Sequence, residues 1–219
     1  MPRKPKKGYY VKGEFVAEGS PRDLELNAEL KGLRDADDGC THAAGELYGY
    51  KKLTAHDVWR KARLAVEANR VRSARAAVEI VSPESSAQVK ELMDSPTKYL
   101  QARATARGKV RQELVTLALI KLAQGDADNA ATQLDNKWSV HLSPEERNWV
   151  WGVIGKQAAQ RLSSDAVTYF GNVTKDSDLT DDLLGWKARA ALRAGQWKVV
   201  RKAVEAMGDE ARRDSTWVY

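Results

Sequence analysis

The stretch Leu179–Met207, LTDDLLGWKARAALRAGQWKVVRKAVEAM, decides how the whole chain is read. It contains two helical arms around a tight break at Ala194-Gly195-Gln196. On the first arm Leu183, Leu184, Ala188, Ala191 and Leu192 fall at helical spacing; on the second, Trp197, Val200, Val204 and Met207 do the same. Neither arm can bury its apolar stripe alone. The natural unit is therefore the antiparallel pair, and the natural architecture is pairs stacked on pairs.

Two earlier segments share this layout. VEANRVRSARAAVEIV around Asn69 and KLAQGDADNAATQL around Gly125 align with LRAGQWKVVRKAVEAM around Gly195. Each supplies a residue suited to a left-handed helix end. Five residues later comes Ala74, Ala130 or Val200, and nine residues later Val78, Leu134 or Val204. The expectation is an all-α fold, a superhelical solenoid of loosely similar helix hairpins, with an irregular helical bundle as the rival. The spacing between tips is too irregular for a tetratricopeptide array.

Composition agrees with helix. Of 219 residues, 42% are hydrophobic and 30% charged, and the six prolines sit mostly at segment edges or in the amino-terminal tail. A single cysteine, Cys40, excludes an intrachain disulfide and a cysteine metal cluster, which leaves the redox compartment open. The net charge of +6 is local: Arg3, Lys4, Lys6, Lys7 and Lys12 precede the first acid, Glu14, and the rest is nearly balanced. No apolar run approaches the ~20 residues of a membrane span, and no apolar core follows the basic start as in a signal peptide.

Residues 1–38 stand apart as a basic tail and linker, expected to be disordered. Within them Tyr9, Val11, Phe15 and Val16 could form a hairpin, Asp23–Leu33 a short helix, and Arg34–Gly39 a turn. A docking arm for RNA or another polyanion is the sharper reading of the basic residues. Helices then follow over 40–50, 57–68, 71–81, 84–93, 97–107, 109–124, 127–138, 144–162 and up to about Val173, before the Leu179–Met207 pair. A further helix begins at Arg212. Thr54 with Asp57, and Ser143-Pro144-Glu145-Glu146, are the strongest start signals.

The run Cys40 to Trp59-Arg60-Lys61-Ala62-Arg63, the alanine-rich hairpins, and GWKARAALRAGQWKVVRKAVEAM followed by Trp217-Val218-Tyr219 resemble the superhelical domain of soluble lytic transglycosylases. The resemblance covers about residues 40–219. It implies a U- or ring-shaped helical scaffold that precedes a lysozyme-like catalytic domain. It also implies a periplasmic family that cleaves peptidoglycan glycan strands to 1,6-anhydromuramyl products. The first 32 residues resemble instead the opening of a ribosome-associated family involved in large-subunit assembly, through Arg3–Tyr10, Phe15–Ser20 and Glu29–Gly32. The chain thus reads as a join of two fragments. Residues 39–219 form the helical domain, truncated before any catalytic domain. Without a signal peptide the chain as written reads as cytoplasmic.

The family's acid/base glutamate lies in a Glu-Ser motif. The one Glu-Ser here is Glu84-Ser85, at an expected helix start, and reads as a cap rather than a glycosidic acid, which needs a cleft and a raised pKa. His42, His56 and His141 have no metal-ligand spacing, Asp35–Gly39 lacks the closing acid of a calcium loop, and Cys40 has no evident histidine partner. No catalytic, cofactor-binding or metal residue is assigned. Trp138, Trp149, Trp151, Trp186 and Trp197 read mainly as core. Trp149 and Trp151 point to different helix faces, so at most one is expected to face the core fully and the other is a candidate contact site. Arg3, Lys4, Lys6 and Lys7 are the candidate polyanion contacts.

The expected function is the non-catalytic scaffold portion of a peptidoglycan lytic transglycosylase, inactive alone, with no cofactor. Its partners would be glycan strands, reached through the missing catalytic domain, and a protein on the concave face. The alternatives are a helical-repeat interaction module and a ribosome- or RNA-associated protein acting through the tail.

Overall fold

A computed structural model describes residues 8–11, 14–17 and 38–217. The described chain is helical apart from one antiparallel hairpin, β1 (Gly8–Val11) and β2 (Glu14–Ala17). Tyr9 pairs with Val16 and Tyr10 with Phe15, and Val16 is buried. The hairpin alternative is thus the one found over these eight residues. The expected helix at Asp23–Leu33 lies outside the described residues. The linker expected up to Gly39 is already helix from Asp38.

The chain divides into two compact units, Met1–Met93 and Asp94–Tyr219. The first is built on α1 (Asp38–Gly49), α2 (Ala55–Glu67), α3 (Val71–Val81) and α4 (Gln88–Asp94). Thr54 starts α2 as anticipated. Its Oγ1 accepts from the Asp57 N–H at 3.2 Å, and its own N–H donates to the Asp57 carboxylate at 3.0 Å, so two orphan donors are satisfied. Val58, Ala62, Ala65 and Val66 turn inward with Trp59 against Ala74, Ala77 and Val78 of α3. Asn69 closes the pair at φ 57°, in the left-handed region that asparagine tolerates. α1 packs on α3. The helix expected from Glu84 begins only at Gln88, because Pro83–Ser85 forms a separate 3₁₀ turn.

The second unit comprises α5 (Pro96–Gln101), α6 (Lys109–Gly125), α7 (Ala127–Gln133), α8 (Pro144–Gln160), α9 (Ala166–Gly171), α10 (Asp181–Arg193), α11 (Trp197–Glu205) and α12 (Asp209–Arg212). α8 is its centre, touching α6, α7, α9 and α10. Its start is the expected capping box, with the Ser143 N–H on Glu146 at 2.6 Å and the Glu146 N–H on Ser143 at 3.3 Å. Neighbours on all sides leave the helix no solvent face along its middle: Trp149, Val150, Trp151, Val153 and Ile154 are all buried. Two glycines admit this crowding. A Cβ on Gly155 would lie 2.8 Å from the Phe170 ring, and one on Gly152 would lie 2.7 Å from a Leu179 methyl.

Several helix ends differ from expectation, each for a local reason. The helix expected over 97–107 stops at Gln101, where the Lys137 ammonium takes the Leu100 and Arg103 carbonyls at 3.1 and 2.5 Å. Outside partners for these end carbonyls remove the gain from continuing the helix. α7 widens into a π-turn over Leu134–Trp138. α6 runs through Gly125 without a left-handed residue. Asp126 starts α7 directly by accepting the Asn129 N–H, and the Arg161 guanidinium donates to the Gln124 and Gly125 carbonyls. Leu162, at φ 61°, makes the turn between α8 and α9 instead. In α10–α11 the turn at Gly195 (φ 68°) is as expected, but the stripe is only half covered. Leu183, Leu184, Ala188, Ala191 and Met207 are buried, Val200 and Val204 are half-buried, and Leu192 and Trp197 are exposed. The expected continuing helix at Arg212 is a short helix ending there, followed by a 3₁₀ turn over Ser215–Trp217.

Candidate functional site

Both tryptophans proposed as contacts belong to the interior. Trp149 is fully buried and Trp151 is 8% exposed, its ring stacked on Tyr169 with centroids 6.1 Å apart. The expectation that one of them faces outward is corrected by the burial of α8 on all sides. Arg3, Lys4, Lys6 and Lys7 lie outside the described residues. Trp138 is fully buried and Trp186 half-buried, whereas Trp197 is 69% exposed.

Glu84 has an environment opposite to that of a glycosidic acid. It is solvent-exposed, and the Ser82 hydroxyl donates to its carboxylate at 2.5 Å. That bond, with one from the backbone, lowers its pKa and keeps it ionised. His56 is exposed, and the His141 ring tilts against Trp138 at 5.9 Å. Among the described residues no group of histidine, cysteine or carboxylate side chains could hold a metal ion. No helix among them is long and apolar enough to cross a membrane.

The buried charges of the second unit hold helices together. Lys109 of α6 bridges Glu113 at 2.8 Å and Glu146 at 2.7 Å, and both carboxylates are fully buried. Burial alone would lower the Lys109 pKa, but hydrogen bonds to the two carboxylates outweigh it and raise it. Asn148, buried on α8, donates to Asp178 at 2.7 Å and accepts from the Thr174 backbone at 3.0 Å, which ties down the segment ahead of α10. Lys187 pairs with Asp176 and Lys156 with Asp182, each at 2.6 Å. The Tyr169 hydroxyl donates to Asp128 at 2.6 Å, and this bond and burial push its pKa up to about 12. Every one of these groups has a protein partner within the second unit.

A cavity of about 370 Å³ lies between the end of α8, α9 and α10. Small residues make its floor: Ala159, Ala166 and Ala190 are nearly fully buried in the cluster around Phe170. Trp186 and Leu162 form apolar walls, and Leu162 is held outward by its left-handed turn. Arg189 and Arg193 line the same cavity, one helical turn apart on α10. The Arg189 guanidinium lies 5.3 Å from the Trp186 ring and 5.0 Å from the Trp217 ring. The sequence reading did not assemble this site. Its signal was nonetheless present, since Trp186, Arg189 and Arg193 recur at steps of three and four on one helix.

No protein-family model matches the chain, and no curated protein matches it. A solved structure does: the lytic transglycosylase Slt from Pseudomonas aeruginosa, determined as an inactive mutant. The similarity has a TM-score of 0.57 at 22% identity, covering 89% of this chain and 32% of that one. At this identity the likeness establishes a shared helical fold, and this chain spans about a third of the length of that structure. The resemblance of residues 1–32 to a ribosome-associated family finds no support in these comparisons.

Proposed function

We propose that the chain is a non-catalytic helical scaffold portion of a peptidoglycan lytic transglycosylase, acting in the periplasm beside a lysozyme-like domain. The observation that carries this reading is the similarity in fold to a lytic transglycosylase over 89% of the chain. The site chemistry agrees with it. Lys109 pairs with the buried carboxylates Glu113 and Glu146, and Glu84 is exposed with its pKa lowered, an environment unlike that of the protonated acid that glycosidic cleavage needs. A scaffold of this kind positions its partner through rigid helix pairs rather than through reacting groups. Co-sedimentation with purified sacculi tests the proposal. The chain should pellet with sacculi and release no 1,6-anhydromuropeptides. Failure to pellet, or retention on ribosomes instead, overturns it.

A further inference from the structure

We propose that the cavity between α8, α9 and α10 is a binding site for a small carboxylic acid with an apolar body. Its volume of about 370 Å³ lies in the lower part of the range occupied by small-molecule sites, ~300–1,000 Å³. The floor of Ala159, Ala166 and Ala190 and the flank of Trp186 would cover an aliphatic or aromatic group, and shedding water from those faces favours its entry.

The charge of the site selects an anion. Among the described residues no acid lines the cavity, and neither Arg189 nor Arg193 makes an ion pair with a carboxylate. Two acids lie nearby and neither occupies the site. Asp165 is engaged by Ser163, which donates to its carboxylate at 3.1 Å. Asp214 is held ionised first by hydrogen bonds from Thr216, with Arg189 a weaker influence. Arg189 is also pre-ordered by contact with two indole rings. A planar guanidinium held in this way offers two parallel N–H donors, the geometry that matches a carboxylate. The second guanidinium, one turn on, adds another positive charge to the lining. Ser163 and Ser164 also line the cavity.

The probe pair is 4-phenylbutyrate and its uncharged analogue 4-phenylbutanamide, titrated into the full chain. Binding is followed by calorimetry and by the indole N–H resonance of Trp186. The acid should bind one to one and move the Trp186 resonance, and the amide should bind about ten-fold more weakly, the expected loss of a charge-assisted pair. Arg193→Gln, at an exposed position, should weaken the acid about ten-fold without changing the melting temperature. Arg189→Lys keeps the charge but loses the fork, and should weaken it as well. Equal affinity for acid and amide, indifference to both substitutions, or no binding below about 10 mM overturns the proposal. The outcome is independent of sacculus binding, so either proposal can fail alone.

Discussion

Trp149 and Trp197 both sit at helical spacing beside aliphatic neighbours, yet one is fully buried and the other 69% exposed. What separates them is the number of elements packed on their helices. α8 is covered on all sides, while α11 packs mainly against α10. Truncating Trp149 to alanine should therefore cost about 3–5 kcal/mol. Trp197→Ala should stay within about 0.5 kcal/mol of wild type. Urea melts of the two variants check this, and similar losses for both would show the exposure difference to be irrelevant. Tyr169 gives a second residue-level test. Its pKa is raised to about 12 in the fold, first by the bond to Asp128, against an ordinary value of 10.0. The folded state thus holds this proton more tightly. The associated stability is fully present below about pH 10 and is lost as pH rises through about 12. Tyr169→Phe should remove one phenol from the late end of the ultraviolet alkaline titration and flatten the stability profile in that window. An unchanged late titration would rule the assignment out.

Among the elements, those most legible in the sequence were the ones whose signal is local. Thr54 with Asp57, and Ser143 with Glu146, form their capping boxes because both partners lie within one turn. The apolar helix α6 buries Leu114, Leu117, Ala118, Ile120 and Leu122 because its stripe is nearly continuous. What was not legible depends on distant residues. The end of α5 is set by Lys137, more than thirty positions away, and the cavity at Arg189 needs α8 and α9 to close it. Close helix approach is another long-range fact, and Gly155 carries it. In Gly155→Ala the added methyl meets the rigid Phe170 ring at 2.8 Å, so the substitution should cost about 1–3 kcal/mol despite alanine's better helix propensity. At Gly152 the obstruction is the end of a Leu179 side chain, which can turn aside, so Gly152→Ala should cost less. Thermal melts that rank Gly152→Ala as the more damaging would reverse this account. The Lys109 bridge between α6 and α8 belongs to the same scale. Lys109→Met strips the ammonium from the buried carboxylate of Glu146 and should cost about 2 kcal/mol, as for other hydrogen bonds to charged groups. Thermal melts of this variant against the parent check this, and an unchanged midpoint would show that the bridge contributes nothing.

At the scale of the molecule, the division at Met93 and Asp94 carries a prediction about folding. The second unit encloses its own core, from Tyr99 and Leu100 through Trp138, Trp149 and Phe170 to Met207, and its ion pairs and end caps named above all begin and end within it. At 126 residues it is of a size that routinely folds alone. A chain of residues 94–219 should therefore be helical by circular dichroism and melt cooperatively. The tryptophans supply an independent readout. Six of the seven lie in this unit, and only Trp59 lies in the first. In the full chain, Trp59→Phe leaves fluorescence to report the second unit alone, while circular dichroism reports both. If the second unit is autonomous, the fluorescence transition of that variant in urea should coincide with that of the isolated 94–219 chain. The circular dichroism transition of the full chain should then broaden or separate from it, because two units of different stability cannot share one two-state transition. A non-cooperative melt of 94–219, or a fluorescence midpoint far below that of the full chain, would mean that the two units stabilise each other and that their cores are not energetically independent.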